Sequence, residues 1–250
     1  MLVDKTKTAI KRIQHFEPPE GYYLAFSGGK DSIVIKALAD MSKVKYDAHY
    51  SNTTIDPPEL ISFIRKYNSD VIWDQPKEPF VILLARRGFP LRQHRWCCGV
   101  YKEQGGIGRF VITGIRWQES GSRKNRKMVE ICYINKYQKK FLHPIIDWTE
   151  SDVWNFIRTY NLNYCKLYDE GWKRIGCLMC PNASKKQRLL EAEKYPRYTK
   201  LFKKAFEKLY NNRKQRGMKS VDRWKSGKEM FDWWLGTPKP SKPKQKQLFK

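Results

Sequence analysis

The chain has 250 residues, with 50 Lys or Arg against 25 Asp or Glu and a formal net charge of +25. This length suits one large α/β domain with an appendage, and the lack of any apolar run of about 18 residues excludes a membrane span. With no signal peptide either, we expect a soluble, cytoplasmic protein without a membrane partner. The positive charge favours a polyanionic partner, most simply nucleic acid; the alternative is solubility combined with an anionic nucleotide substrate.

The chain opens with a polar lead-in, residues 1–19, that contains a short helix over TKTAIKRIQHF and ends at Pro18 and Pro19. An apolar strand then leads to Phe26, a Gly-rich turn follows, and apolar residues at helical spacing begin after Ser32. This order predicts a buried strand, a tight turn and an amphipathic helix.

The turn reads SGGKDS and comprises Ser27, Gly28, Gly29, Lys30, Asp31 and Ser32. Glycines let backbone N–H groups approach an anion closely, and the N-terminus of the following helix adds a partial positive charge. Lys30 and the two serines add further donors, so the predicted ligand is a phosphate or pyrophosphate group. The turn is not a GxxxxGK[ST] loop. The alternative is a Gly-rich turn between a strand and a helix that binds nothing.

Strands and helices alternate through the first 120 residues, which predicts a mostly parallel twisted sheet with helices on both faces. Ligands of such sheets lie at the carboxyl ends of strands, and Ser27 lies at one of them. The later predicted elements are a strand over Lys45–Tyr50, a helix that begins at Pro57–Pro58, a strand over Asp70–Trp73, a helix over Glu78–Arg87, a strand over Arg109–Ile115, a hairpin of Val129–Ile134 with Phe141–Ile146, and a helix capped by Thr149–Asp152.

The composition changes after Cys180. Residues 183–216 predict one or two basic helices interrupted near Pro196, residues 226–235 predict a short aromatic helix, and the Pro- and Lys-rich end predicts a disordered tail. We therefore divide the chain into a lead-in (1–19), an α/β domain (20–182), a basic helical appendage (183–236) and a tail (237–250).

Residues 181–250 carry 21 Lys or Arg against 6 Asp or Glu, so we expect this part of the chain to contact nucleic acid. Its aromatic residues include Trp224, Trp233 and Trp234. They either stack on bases or pack between helices.

The cysteines Cys97-Cys98 and Cys177-x-x-Cys180 form two close pairs in the sequence. In a cytosolic chain, clustered thiols indicate a metal or catalysis rather than disulfides. Adjacent cysteines suit a larger iron–sulfur cluster better than one tetrahedral zinc ion, so we predict a [4Fe–4S] cluster, with zinc or unmetallated cysteines as alternatives. Cys132 and Cys165 are predicted to be plain buried residues.

The SGGKDS turn resembles the loop of the PP-loop ATP pyrophosphatases, which include the phosphoadenosine phosphosulfate (PAPS) reductase family. Three further stretches are similar to segments of that family, in the family's order: TGIRWQESGSR (113–123), HPIIDWTESDVWNFI (143–157) and LYDEGWKRIGCLMCP (167–181). The resemblance spans residues 20–182 and implies the adenine nucleotide alpha-hydrolase-like fold. The arrangement CC…CxxC resembles the [4Fe–4S] motif of the family's assimilatory adenylylsulfate reductases. Those reductases use a C-terminal cysteine as nucleophile, and no cysteine follows Cys180 here.

The TGIRWQESGSR stretch extends the expected nucleotide site beyond the turn. Arg116 lies just beyond the end of a predicted strand, and Arg123 lies further along the same loop. Guanidinium groups bind phosphate or sulfate oxygens bidentately, so both side chains suit such a ligand. Glu119 is the only carboxylate of this loop and either orients an arginine or helps to hold Mg²⁺; the alternative for all three is an exposed loop charge. Asp147 is predicted to be a turn or capping residue.

These observations define the predicted site residues. We assign catalysis to Lys30, Asp31, Arg116 and Arg123. We assign nucleotide binding to Ser27, Gly28, Gly29, Lys30, Asp31, Ser32, Gly114, Arg116 and Glu119, and metal binding to Cys97, Cys98, Cys177 and Cys180.

The resemblance and the charge together lead to an enzyme hypothesis. ATP would bind with its phosphates on the turn, Mg²⁺ would offset their charge, an oxygen of the acceptor would attack the α-phosphorus, and pyrophosphate would leave. Sulfur from a donor protein would then displace AMP from the adenylated acceptor, for which DNA and tRNA are the candidates. The alternatives are a sulfonucleotide reductase that uses an external thiol, and a nucleotide- or nucleic-acid-binding regulator without turnover.

The segment Gln245–Phe249 (QKQLF) resembles the QxxLF-type peptides that bind the bacterial sliding clamp. In such peptides the apolar side chains enter a surface pocket while the glutamine forms a hydrogen bond at its rim. A sliding clamp as partner would make DNA the acceptor. The alternative is a solvated tail whose Leu248 and Phe249 pack on the domain.

Overall fold

The structure, a computed structural model of the chain, describes residues 2–132 and 138–236. The predicted disordered tail, the segment Gln245–Phe249 and residues 133–137 of the predicted hairpin lie outside the described residues. The chain divides into two compact units. Unit 1 comprises Met1–Lys77 with Cys97–Cys177, and unit 2 comprises Glu78–Trp96 with the chain from Leu178 onward. The domain boundaries drawn from the sequence stay a prediction.

The helices and strands follow each other in nearly the predicted order. They are α1 (Leu2–His15), β1 (Tyr22–Ala25), α2 (Lys30–Ser42), β2 (Tyr46–Ser51), α3 (Pro58–Tyr67), β3 (Ile72–Asp74), α4 (Phe80–Arg87), α5 (Trp96–Tyr101), β4 (Phe110–Ile112), α6 (Gly121–Lys124), β5 (Val129–Ile131), β6 (Lys140–Leu142), α7 (Glu150–Thr159), α8 (Lys185–Lys194), α9 (Pro196–Gln215) and α10 (Gly227–Leu235). None of the helices in the described ranges is long and apolar enough to cross a membrane.

Unit 1 contains a six-stranded sheet with the order β3-β2-β1-β4-β6-β5. All neighbouring strands are parallel except β5, which pairs antiparallel with β6. The predicted mostly parallel α/β sheet is therefore confirmed, and so is the antiparallel pairing of the predicted hairpin, although its strands are shorter than the predicted Val129–Ile134 and Phe141–Ile146. From the central strand β1 the chain moves to β2 and β3 on one side and later to β4 on the other, so the strand order reverses between β1 and β4. In parallel sheets, ligands bind at the carboxyl ends of the strands next to such a reversal.

Consecutive residues of β1 point to opposite faces of the sheet, as the pleat requires. The Tyr22 hydroxyl donates a hydrogen bond to the carbonyl of Ile13 in α1, 2.8 Å away, on one face. On the other face, Tyr23 packs against Gly105 and Gly106, where an added Cβ would meet the tyrosine ring or its oxygen. Both faces of the central strand are covered, and for that reason β1 reads as an uninterrupted apolar and aromatic run.

The local signals for α7 and β4 had different outcomes. Thr149 and Asp152 form the predicted capping box, since the Asp152 N–H donates to the Thr149 hydroxyl and the Thr149 N–H donates to the Asp152 carboxylate. The strand predicted over Arg109–Ile115 is shorter: β4 ends at Ile112, and the Thr113 N–H still donates to the Leu142 carbonyl of β6 at 3.0 Å. The helix α5 was not predicted, since WCCGVY has no amphipathic pattern.

Unit 2 is helical, and α9 packs against both α4 and α10. Phe202 and Phe206 of α9 are fully buried. The Trp234 ring stacks on Phe202 with centroids 5.6 Å apart, and its Nε1 donates to the Pro90 carbonyl at 2.7 Å. Of the two alternatives for Trp234, stacking on bases or packing between helices, the structure shows the second, because this ring belongs to the core of the unit.

His143, directly after β6, is completely buried and links three strands of unit 1. Its Nδ1 lies 2.7 Å from the Thr113 hydroxyl at the end of β4, and its Nε2 lies 3.7 Å from a Glu130 oxygen in β5. Burial, with the nearby charge of Arg126, lowers the pKa of His143 from 6.5 to about 4. The imidazole is therefore neutral in the folded protein at neutral pH.

We expect this histidine to make folding sensitive to mild acid. The unfolded imidazole binds a proton near pH 6.5 and the folded one only near pH 4, so the free energy of unfolding should fall as the pH drops through this interval. The loss should be on the order of 3 kcal/mol. Urea unfolding between pH 4 and 8 measures it, and His143→Gln should remove this part of the pH dependence.

His15→Gln is the matched control, since His15 is exposed at the end of α1, and its pH profile should match that of the parent. Parallel pH profiles for the parent and His143→Gln would contradict the assignment.

Candidate functional site

The SGGKDS turn connects β1 to α2, and its first glycine is required for two reasons. Gly28 has φ +70°, a left-handed backbone conformation that favours glycine. An added Cβ would also lie 2.6 Å from Leu60 and 2.9 Å from Ile64 of α3. Gly29 follows as the N-cap residue of α2 and has no side-chain cap. The turn is therefore held close to the neighbouring helix, with the N-terminus of α2 directly behind it.

Hydroxyl groups hold the shape of the turn. The Ser32 Oγ donates to the Gly29 carbonyl at 2.9 Å and accepts the Ser27 N–H at 3.2 Å. The Lys30 N–H donates to the Tyr168 hydroxyl at 2.9 Å. Because burial raises the pKa of Tyr168, this phenol stays protonated. Two neutral hydroxyl oxygens thus accept hydrogen bonds from backbone N–H groups of the turn. These N–H groups are the ones expected to bind phosphate oxygens.

Lys30 is buried and its side chain turns toward the segment after α7. Its Nζ donates to the Lys173 carbonyl at 2.9 Å, lies 3.6 Å from a Glu150 carboxylate oxygen, and lies 5.3 Å from the centre of the Tyr168 ring. The sequence contained a signal for these partners, since Tyr168 and Lys173 belong to the LYDEGWK stretch. Their pairing with Lys30 was not foreseen.

The residues of the TGIR stretch meet the turn through an ion pair. Arg116 is 3% exposed, and its Nε donates to Asp31 Oδ1 at 2.7 Å while its Nη1 donates to the Trp148 carbonyl at 3.3 Å. At Gly114 an added Cβ would lie 2.9 Å from the backbone of Asp31. The loop after β4 therefore packs directly on the first turn of α2.

Glu119 extends this chain of charges outward. One oxygen accepts the Arg116 N–H at 2.9 Å, and the other pairs with the Arg123 guanidinium. Lys30, Asp31, Arg116, Glu119 and Arg123 are thus brought to the carboxyl ends of β1 and β4. Of the two roles open to Glu119, this geometry favours orientation of the arginines.

Asp147 lies outside this group of charges and joins α1 to the segment before α7. Arg12 donates to both of its carboxylate oxygens, at 2.8 and 3.0 Å. Although burial tends to raise the pKa of Asp147, the hydrogen bonds and charge of Arg12 hold it below its usual value.

Three of the predicted metal ligands lie in unit 1. Cys97 and Cys98 are half-buried on α5, and Cys177 is half-buried at the end of the unit. Lys102, one turn beyond Cys98, was missed by the sequence reasoning. The charge interaction with Cys177 raises the pKa of this lysine, with smaller contributions from Asp56 and Cys98.

The fourth predicted ligand, Cys180, lies in unit 2. Its neighbour Met179 has φ +54° and donates its N–H to the buried Glu191 carboxylate at 2.5 Å. Within residues 2–132 and 138–236, no three or more His, Cys, Asp or Glu side chains form a group that could hold a metal ion. The four-cysteine ligand set therefore stays a prediction. Cys165 is buried as expected, whereas Cys132 is only half-buried because it lies on the edge hairpin.

A cavity of about 320 Å³ opens in unit 1 beside β2 and β3. Its walls include Tyr23, His49 and Asp74. Asp74 accepts from the Tyr23 hydroxyl at 2.8 Å and lies 2.9 Å from His49 Nδ1, so these groups satisfy each other.

Several known proteins are similar in sequence. An uncharacterized protein of Methanocaldococcus jannaschii is 30% identical over 213 residues, which cover 78% of this chain and 50% of that protein. A second uncharacterized protein of the same organism is 31% identical over 182 residues, which cover 63% of this chain and 35% of that protein. The chain thus spans half or less of these two relatives. The adenosine 5′-phosphosulfate reductase of Geobacillus kaustophilus is 33% identical over 172 residues, with 62% of this chain and 71% of that protein covered.

Among solved structures, the phosphoadenylyl-sulfate reductase of Candida auris, a phosphate complex, superposes with a TM-score of 0.54 at 18% identity. The match covers 70% of this chain and 93% of that one, and supports the predicted fold.

The family model for the phosphoadenosine phosphosulfate reductase domain matches residues 21–183. This range is well over half of the chain and contains the turn, the TGIR stretch and all the cysteines. The chain therefore belongs to the PAPS reductase family.

Proposed function

We propose that the chain is an ATP pyrophosphatase-type enzyme that adenylates an acceptor. The observation that carries this proposal is the Asp31–Arg116 ion pair, which joins the SGGKDS turn to the loop after β4 at the strand-order reversal. An anion placed there would meet backbone N–H groups, the N-terminus of α2 and the nearby cations.

In this proposal the polyphosphate of ATP replaces the neutral partners of the turn. Phosphate oxygens take over the Ser27 and Lys30 N–H groups from hydroxyl oxygens, and Lys30 Nζ exchanges the Lys173 carbonyl for a phosphate. Bonds to a charged acceptor are stronger than bonds to a neutral one, so the exchange is favourable. Mg²⁺ that arrives with the nucleotide supplies further compensation of the phosphate charge.

The chemical step is one substitution at the α-phosphorus. An acceptor oxygen forms a bond to it, the bond from the α-phosphorus to the oxygen bridging to the β-phosphorus breaks, and pyrophosphate leaves with that electron pair. Arg116 is fixed by Asp31 and acts by position, while Arg123 is oriented by Glu119 toward the same site. These residues stabilise the developing negative charge without covalent chemistry.

The charge of the chain suggests nucleic acid, DNA or tRNA, as the acceptor, with sulfur from a donor protein displacing AMP afterwards. The second candidate is reduction of a sulfonucleotide by an external thiol. The relatives named adenosine 5′-phosphosulfate reductases favour it, and the range matched by the family model includes the turn and both cysteine pairs.

The cysteines enter the proposal as ligands of a [4Fe–4S] cluster. Thiolates are the donors that such clusters use, and Lys102 beside Cys177 supplies a positive charge suited to an anionic cluster. Cys97, Cys98, Cys177 and Cys180 would hold it, and the cluster would supply a redox or sulfur-binding centre.

The first test is pyrophosphate release from ATP, measured with DNA, with tRNA and without nucleic acid. Lys30→Met should weaken ATP binding about 10- to 100-fold in calorimetry, because a charge-assisted contact to phosphate is lost. Lys36→Met, a lysine of the same helix that is half-buried and paired with Asp70 instead of the turn, is the matched control and should bind ATP like the parent. Asp31→Ala is a poor probe, since it would leave the buried Arg116 unpaired and cost about 3–5 kcal/mol of stability.

Equal ATP affinity of the parent and Lys30→Met would contradict the site. Thiol-dependent sulfite release from a sulfonucleotide without pyrophosphate release would favour the reductase, and ATP binding without turnover would favour a regulator.

The second test concerns the cysteines. Protein purified without oxygen should be brown and contain about four iron atoms per chain. Cys98→Ser and Cys177→Ser should lose most of this iron, whereas Cys132→Ser and Cys165→Ser should keep it. Stoichiometric zinc without iron in the anaerobic protein would rule the cluster out.

A further inference from the structure

Unit 2 is strongly basic for its size. Its described residues, 78–96 and 178–236, contain 20 Lys or Arg and 7 Asp or Glu. Some of these charges are paired within the unit, such as Lys228 with Asp232 and Arg86 with Glu78. The distribution of the remaining charge over the helices decides whether the unit has a binding face.

Helix α9 has two chemically different faces. Its inner face is buried against α4 and α10 and consists of Phe202, Ala205, Phe206 and Leu209. Arg197, Lys200, Lys204 and Lys208 follow each other at spacings of three, four and four residues, and all four are exposed. Residues at these spacings share one side of a helix. We name these four residues the basic stripe; it runs for about 16 Å along the helix axis.

The basic stripe lacks the acidic neighbours that such a row usually has. In the described part of the chain, Lys200, Lys204 and Lys208 have no carboxylate partner within ion-pair distance. The nearest carboxylate along the helix, Glu207, is directed to α10, since an added Cβ at Gly227 would lie 2.6 Å from its Oε2. Each pair of like charges four residues apart destabilises a helix by roughly 0.2–0.5 kcal/mol. The stripe therefore carries a repulsion that a bound polyanion would relieve.

The aromatic residues of the unit point to the same kind of partner. Phe206, Phe231 and Trp234 lie in the core. Trp233 is 40% exposed, but its ring contacts Trp224 edge-on with centroids 5.0 Å apart. The unit thus offers charge on one long face and no row of free aromatic rings among its described residues. Such a surface recognises phosphates and not bases.

We propose that the basic stripe of α9 binds the phosphodiester backbone of a nucleic acid, independently of its base sequence. The inference rests on the proposed function in that the bound strand would be the acceptor, but binding is measured without ATP. DNA and RNA share the phosphodiester chemistry, and the experiment distinguishes them.

The test measures the affinity of the full chain for a duplex DNA and an RNA of mixed sequence at several salt concentrations. The triple variant Lys200→Gln, Lys204→Gln, Lys208→Gln should bind at least tenfold more weakly at 0.1 M salt. The slope of log K against log salt should become shallower by about 2 to 3, because each lost phosphate contact contributes about 0.7 to 0.9. The loss of affinity caused by the triple substitution is compared between the DNA and the RNA, and the larger loss identifies the nucleic acid that the stripe binds.

The matched control carries the same charge change in unit 1. Lys7, Lys11 and Lys66 are exposed on α1 and α3, and their triple Gln variant should retain the parent's salt slope. Equal losses in both triple variants would overturn the proposal, since net charge alone would then explain binding. Equal affinity for a polyglutamate peptide would also overturn it, in favour of an acidic protein partner, and so would the absence of any nucleic-acid binding.

A single substitution separates binding from stability. Lys204→Glu creates attractive pairs with Lys200 and Lys208, so the unfolding midpoint should stay unchanged or rise while nucleic-acid affinity falls. A fall in both the unfolding midpoint and the nucleic-acid affinity would indicate that Lys204 has a structural role instead. Pyrophosphate release that fails while stripe-dependent binding persists would refute the proposed function and leave this inference standing.

Discussion

The ion pair between Asp31 and Arg116 is the interaction on which the candidate site depends. A buried guanidinium is costly unless its N–H groups are paired, and removing one member of such a pair is more damaging than never having it. Here the Arg116 Nε meets Asp31 and its Nη1 meets the Trp148 carbonyl. Asp31 also lies in the first turn of α2, where a carboxylate interacts favourably with the helix dipole. The pair therefore fixes the ends of β1 and β4 relative to each other.

The cations around this pair fall into two groups. Arg116 is held in place by a buried partner, whereas Lys30 donates to a carbonyl and Arg123 pairs with Glu119 in a more open position. A polyphosphate competes readily with a carbonyl and with an accessible carboxylate, but poorly with a buried ion pair. In the proposed reaction, Arg116 thus serves as a fixed reference for the α-phosphate, while Lys30 and Arg123 change partners when the nucleotide arrives.

Unit 2 separates aromatic and basic residues on opposite sides of α9. Aromatic side chains lie in the core of the unit beside aliphatic ones, and there Trp234 stacks on Phe202 and donates to the Pro90 carbonyl. The basic stripe lies on the exposed side of the same helix, away from the buried rings of Phe202 and Phe206. This division explains how a chain with a net charge of +25 retains a well-packed helical unit.

Local signals in the sequence determined the parts of the protein that depend on neighbouring residues. The SGGKDS turn, the Thr149 capping box and the β5–β6 hairpin were all predicted, because turn chemistry, caps and strand alternation act over a few residues. The mostly parallel sheet followed from alternating strands and helices. The family also followed, since four separate stretches resemble it in the correct order.

The tertiary structure alone decided which distant residues meet. Asp31 and Arg116 are 85 residues apart, and Lys30 and Tyr168 are 138 apart, so no local pattern could pair them. The membership of α4 in the C-terminal unit and the burial of Trp234 were likewise not predictable, because an aromatic stripe looks the same whether it faces bases or other helices. Periodicity shows which residues of a helix share a face, but only the packing of the other helices decides whether that face is buried.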